Sequence, residues 1–157
     1  MLPIKAAAMN HNTLHERFGM ALVLLHRLYR RDLDEALKDY GLTEATALPL
    51  QYLAHLGDDC RQGVLAEAMN LEGPTLVRVI DQLVTAGFVE RQDHKDDKRA
   101  KIVRLTESGR VLSERLRQRM GIVRTALFAG IPDDEVEAAT ATLKRIIANT
   151  SGRRTRV

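Results

Sequence analysis

The chain has a single cysteine, Cys60, and no tryptophan, and aromatic residues fill only 4% of its 157 positions. A lone cysteine excludes an intrachain disulfide framework and points to a reducing compartment, so the expected localisation is cytoplasmic. With so few aromatics, the core has to be built from Leu, Val, Ile and Ala, which suits helices packed on helices. No uninterrupted apolar run approaches the roughly 20 residues that a membrane helix needs, so no membrane partner is expected. Met1 to Met9 carries one Lys5 among small residues, too weak a pattern for a signal peptide. There is no internal repeat and no low-complexity segment. A phosphate-binding loop, a dinucleotide glycine fingerprint, a nucleophile elbow and a zinc-protease motif are all missing, and the acids are scattered over helix surfaces. An enzyme is therefore not expected, nor a catalytic residue, a cofactor or a metal.

What is present reads as one soluble globular chain, 45% hydrophobic and 29% charged. A net charge of +3 permits an anionic partner without proving one, so the placement of the cations matters more than their number.

Thr13 followed by Glu16 is a capping-box pattern and predicts a helix start. Leu14, Phe18, Ala21, Leu22, Leu25, Tyr29, Leu33 and Leu37 then recur at helical spacing until Gly41. Thr43 opens a second helix to about His55, with a kink expected at Pro49 because proline removes a donor and crowds the preceding turn. Gly57, Asp58 and Asp59 make a turn. A short helix follows from Gln62 to Met69, a turn from Asn70 to Gly73, and another helix with Pro74 as its first residue. Leu76, Ile80 and Leu83 face inward on that helix, and Gly87 closes it. Phe88 to Arg91 and Ile102 to Leu105 alternate as two short strands around a charge-dense tip. Thr106 caps a long helix carrying Leu112, Leu116, Met120, Val123 and Leu127. After Gly130 and Pro132 a last helix carries Val136, Ala139, Leu143, Ile146 and Ile147.

The expected fold is mainly α with a small β-hairpin wing: a winged helix-turn-helix over residues 43–106 and a helical dimerisation lobe from residues 13–41 and 107–150. Residues 1–12 and 151–157 read as loose tails. The terminal helices carry apolar stripes that a single long helix cannot bury alone, and homodimerisation is the commonest way to close such a surface.

The order short helix, turn, second helix, hairpin over residues 62–105 places the second helix to enter a major groove of double-stranded DNA. Thr75, Arg78 and Gln82 share its outer face, opposite Leu76, Ile80 and Leu83. Arg78 has the two donors that match guanine O6 and N7, Thr75 suits a phosphate or a thymine methyl, and Gln82 the backbone or an adenine. The helix start, with its partial positive charge and free N–H groups, favours a phosphate. The hairpin tip adds Lys95, Lys98, Arg99 and Lys101 among Asp93, Asp96 and Asp97. An acid there makes sense if Asp97 orients Arg99 so that its guanidinium projects into a minor groove.

Leu65-Ala66-Glu67-Ala68-Met69, Leu71 to Arg78, Asp81-Gln82-Leu83, Ala86 to Arg91 and Asp97-Lys98-Arg99-Ala100-Lys101 through Thr106 together resemble the MarR family, and within it the SlyA-like branch. The resemblance implies a homodimeric transcription regulator, most often a repressor, on a pseudo-palindromic operator. It sets Pro74, Thr75 and Arg78 at the groove and maps the family's Asp-x-Arg wing element onto Asp97 and Arg99. Lys98 stands where an arginine is often found, and Gly73 where SlyA-like proteins have a glutamine. Relatives are commonly released from DNA by small anionic aromatics, so the resemblance implies an aromatic acid or its thioester as effector, met by His26, Arg27 and Arg30. Salt bridging or plain exposure is the other reading of those three.

Rival readings carry less. Cys60 as a redox sensor would need a lowered pKa, for which Arg61 is the nearby cation, but peroxide-sensing relatives carry their cysteine in the first helix. His11 and His15, four apart, would suit a metal only with further ligands. A winged helix that binds protein instead of DNA would need neither Arg78 nor a basic wing.

Overall fold

The computed structural model describes residues 11–154 apart from Asp58, Lys98 and Arg99, and the chain divides into two units, Met1–Val123 and Arg124–Val157. In the first unit, α1 (His11–Leu37) runs into a 3-10 turn (Lys38–Tyr40) and stops at Gly41, whose φ of 67° is the left-handed conformation that glycine adopts without strain. The helix is already under way at His11, so Thr13 lies inside it instead of capping it. Residues 11 and 12 include neither Gly nor Pro, and nothing there interrupts the turn.

The capping pattern is real one helix later. Thr43 precedes α2 (Glu44–Leu56), and its backbone N–H donates to Thr46 Oγ1 at 2.9 Å in a reciprocal capping box. Pro49 is buried within α2, and the helix continues past it. Gly57 and Asp59, both with positive φ, lead into β1 (Cys60–Arg61), a strand the sequence pattern does not reveal. Next come α3 (Gln62–Ala68), a turn with Asn70 at φ 51°, and α4 (Gly73–Thr85). β2 (Val89–Asp93) and β3 (Lys101–Leu105) form the hairpin, and β1 pairs with β3 to give an antiparallel sheet in the order β1-β3-β2. The wing is thus a three-stranded sheet where a two-stranded hairpin is expected.

The fold is mainly helical with this small sheet, as its periodicity predicts. Leu33 and Leu37, Leu50 and Leu53, Leu65, the Leu76-Ile80-Leu83 row, Val103 and Leu116 are all essentially inaccessible and form one core. Each such side chain contributes about 1.5–3 kcal/mol by leaving water.

One buried polar group, Ser113 on α5 (Glu107–Leu127), is fully partnered. Its hydroxyl lies 3.3 Å from the Leu50 carbonyl and accepts from Gln51 Nε2 at 3.1 Å, while Gln51 Nε2 also reaches the Ser113 carbonyl at 2.8 Å. These bonds fix α2 against α5 without leaving a desolvated donor.

In the second unit, Gly130 (φ 77°) turns the chain into α6 (Asp133–Arg154). Its first turn holds Asp133, Asp134 and Glu135, the charge sign that a helix N-terminus favours. The helix reaches Arg154, so the loose tail expected from residue 151 begins as helix; residues 155–157, like residues 1–10, lie outside the described residues. No described helix is long and apolar enough to cross a membrane.

Candidate nucleic-acid interface

α4 is built with two unlike faces. Leu76, Ile80 and Leu83 are buried, while Pro74, Thr75, Arg78 and Gln82 are exposed. The spacing of three and four residues sets the exposed side chains on one side of the helix, as the sequence predicts. The start of the helix differs from expectation. Glu72 is the capping residue and Gly73 the first helical one, so Pro74 comes second. Thr75 and Leu76 both donate their N–H to the Glu72 carbonyl, at 3.0 and 3.1 Å, and Pro74 has none. The free N–H groups expected here for a phosphate are therefore reduced, because proline deletes one donor and the tight first turn uses the next.

An acid on α4 is neutralised from the wing. Asp81 accepts from Arg91 of β2 at 2.7 Å, which removes a negative charge from the helix that carries Arg78 and braces helix against strand. The sequence holds both residues but gives no sign that they meet.

The base of the wing is stitched to the end of α4 and the start of α5. Thr106 Oγ1 and Ser108 Oγ both donate to the Gly87 carbonyl, at 2.8 and 2.9 Å, and the Gly109 N–H donates to Thr106 Oγ1 at 3.0 Å. Thr106 is the cap expected for this helix. Along the hairpin, Val89 pairs with Leu105 and Asp93 with Lys101. Lys101 is in an ion pair with Asp93, so its cation is committed to the neck of the wing as well as half-exposed. Lys95 and Asp97 are exposed at the tip. Lys98 and Arg99 lie outside the described residues, and the expected Asp97–Arg99 contact with them.

His26, Arg27 and Arg30 line one open depression along α1, together with Arg31, Asp34, Glu35 and Lys38. Arg30 also makes ion pairs with Asp34 at 3.9 Å and Glu44 at 3.7 Å, and Asp34 accepts from the Glu44 N–H at 2.6 Å. Salt bridging is thus present, within the chain and across the junction of α1 and α2.

Cys60 is only 7% exposed, on β1, and burial pushes its thiol up in pKa, with a backbone hydrogen bond from Leu65 pulling the other way. A sensing thiolate needs the opposite shift. Among the described residues no group of three His, Cys, Asp or Glu side chains is arranged to hold a metal.

Most of the apolar residues of α1 from Leu14 to Leu28 remain uncovered within the chain. Met20 is 73% exposed, Leu24 57% and Val23 52%, and Leu14, Phe18, Leu22, Leu25 and Leu28 are exposed too. On α6, Ile147 is 61% exposed.

A sequence model of the MarR family matches residues 42–101, the span from the α1–α2 junction through the wing tip. Among solved structures, the transcriptional regulator PA3341 is 36% identical, with 86% of this chain and 98% of that one aligned at a TM-score of 0.77. A MarR-family transcriptional regulator from Rhodococcus sp. RHA1 is 27% identical over 85% of this chain and 94% of its own, with a TM-score of 0.75. CouR from Rhodococcus jostii RHA1, solved with p-coumaroyl-CoA bound, is 26% identical over 82% and 90%, with a TM-score of 0.75. With the two-faced α4, the braced wing and these likenesses in agreement, the chain belongs to the MarR family of winged helix-turn-helix, DNA-binding transcription regulators.

Proposed function

We propose that the chain acts as a homodimeric repressor on a pseudo-palindromic operator and is released from it by a small aromatic acid or its thioester. Residues 13–41 and 107–150 form the dimerisation lobe and residues 43–106 the DNA-binding domain. Each α4 enters a major groove with Pro74, Thr75, Arg78 and Gln82. Each wing approaches the flanking minor groove with Lys95, Lys98 and Lys101 near phosphates and Arg99, oriented by Asp97, as the inserted side chain. Half-sites lie about one helical turn apart, roughly 10 base pairs centre to centre. The chain falls in the SlyA-like branch, which its central block resembles, and Gly73 sets its operator preference apart. The cytoplasm is its place of action.

The observation that carries this reading is the outer face of α4: an exposed Thr75-Arg78-Gln82 row directly behind a fully buried Leu76-Ile80-Leu83 row. Arg78→Ala is expected to weaken operator binding by about 1–3 kcal/mol and to relax preference at one base position per half-site. Lys98→Ala should weaken all sequences alike and flatten the salt dependence, as loss of a phosphate contact does. Gel shifts on the DNA flanking the protein's own gene measure both. An Arg78→Ala protein as tight and as selective as wild type removes α4 as the reading element.

For the effector, support comes from the cationic side of the α1 depression and from the aromatic thioester bound by CouR. A ligand alters DNA affinity only if it prefers one spacing of the two wings. Thermal-shift screening of aromatic acids and their CoA thioesters is expected to find a compound that stabilises the protein by about 2.7 kcal/mol at a hundredfold excess over Kd. Loss of that shift in Arg27→Ala assigns the site, and no shift with any compound withdraws it.

A further inference from the structure

We propose that His94 holds the wing in its DNA-binding shape only while its imidazole is neutral, so that duplex affinity falls as the ring takes up a proton. The idea rests on the wing being a DNA-contacting element and adds a control to it.

His94 sits half-buried where β2 leaves the sheet, and its backbone N–H closes the neck of the tip by donating to the Ala100 carbonyl at 3.0 Å. Two donors from elsewhere converge on its ring. The Asp96 backbone N–H points at Nδ1 from 3.2 Å, and an Arg61 guanidinium nitrogen lies 3.3 Å from Nε2. A neutral imidazole offers one lone pair in either tautomer, and an imidazolium offers none. The neutral ring therefore satisfies one of the two donors, and with its own proton on Nε2 that donor is the Asp96 N–H. The charged ring satisfies neither and sets a second cation against Arg61.

The charged groups around the ring come from every element that meets there. Among the described residues, those that line the same hollow as the ring are Asp59 and Arg61 on the β1 side, Asp93 on β2, Lys95 and Asp96 in the tip, and Arg104 on β3. Asp59 is held by Arg104 at 3.3 Å and Asp93 by Lys101, so two of the three carboxylates already have cations of their own. Asp96 is the remaining acid on this side, and Lys95 and Arg61 are cations, Arg61 at hydrogen-bonding distance from the ring. Histidine is the side chain whose ordinary titration falls between pH 5 and 8, so the neck is built on the one residue type that changes charge there. Protonation opens the Asp96 turn and loosens the tip that carries Lys95. The sign is distinctive, because a cation gained beside phosphates would by itself tighten binding.

The test follows the Asp96 amide resonance and, by fluorescence anisotropy at fixed ionic strength, binding to the duplex flanking the protein's own gene. For the full-length protein between pH 8 and pH 5.5, the Asp96 amide is expected to follow the His94 ring. Affinity is expected to fall about tenfold, the scale of one lost hydrogen bond. His94→Gln, whose amide oxygen accepts at either pH, should show almost no pH dependence. His94→Lys should bind at pH 8 as weakly as wild type does at pH 5.5. An affinity that rises on acidification, or a pH slope unchanged in His94→Gln, overturns the proposal. If wild type binds no duplex even at pH 8, the DNA reading fails separately, and the amide still decides: one indifferent to the ring overturns the proposal, and one that follows it supports the hydrogen bond on which it stands.

Discussion

Replacing Gly109 by alanine is expected to lower the melting temperature by about 10 °C, the equivalent of roughly 3 kcal/mol for a chain of this size. A Cβ built at Gly109 would lie 2.0 Å from the Phe88 carbonyl oxygen and 2.9 Å from its carbon. Backbone atoms, unlike the end of a flexible side chain, cannot swing aside. Phe88 is also tied down on both sides, since its N–H donates to the Leu83 carbonyl at 3.0 Å and its own carbonyl accepts the Thr106 N–H at 3.1 Å. The clash therefore has to be relieved by parting α5 from the end of α4 and the base of the wing, which breaks the Thr106 and Ser108 bonds to Gly87. The control is Gly63→Ala in α3, where nothing lies within 4 Å of the added methyl. Its stability should stay within about 1 kcal/mol of wild type, on the stabilising side. Equal melting temperatures for Gly109→Ala and wild type would show that α5 and the Phe88 backbone do not approach as closely as described. DNA binding should be lost in the Gly109 variant even below its melting temperature, because the joint that it opens sets the angle between α4 and the wing.

Leu24→Glu is expected to convert the dimer to monomer at micromolar concentration and to reduce operator affinity at least a hundredfold. Leu24 is 57% exposed in the single chain, so a charge there costs the monomer little. In a twofold interface the same change occurs twice, and each unpaired carboxylate withdrawn from water costs several kcal/mol. The apolar run of α1 is the reason to place the interface there: Met20, Val23, Leu24 and Leu28 as well as the Leu14-Phe18-Leu25 side are exposed, more than a solvated helix normally presents. Loss of the dimer removes the second half-site and with it the fixed separation of two reading helices. Sedimentation and gel shifts on the same samples separate the two effects. A Leu24→Glu protein that stays dimeric relocates the interface away from this face, and one that is monomeric yet binds as tightly as wild type removes the need for two copies.

Much of this architecture is legible from residue order alone. The Leu76-Ile80-Leu83 spacing, Pro74 near a helix start and Gly87 after its end define α4 to within a residue or two, because each states a local backbone preference that the tertiary fold does not oppose. The alternation around Val103 and the cap at Thr106 are legible for the same reason. The cap read at Thr13 is not where the helix starts, since a capping box only stabilises a start and cannot enforce one when the preceding residues also tolerate helix. β1 is hidden because two residues show no periodicity; Cys60 and Arg61 become a strand only by pairing with Val103 and Ile102, more than forty positions away.

The residues of the candidate interface divide in the same way. Thr75, Arg78 and Gln82 share an outward face by helical geometry, which sequence spacing determines. Arg91 on Asp81, Lys101 on Asp93 and Arg61 on His94 are decided by tertiary structure, because each joins side chains from elements whose relative placement depends on the packed core beneath them. Residue order alone therefore sets the helices, the face of α4 that meets solvent and the basic character of the wing. Only the folded chain decided which of those charges are spent on one another, since Coulomb and hydrogen-bond energies depend on distances of a few ångström that no local pattern encodes.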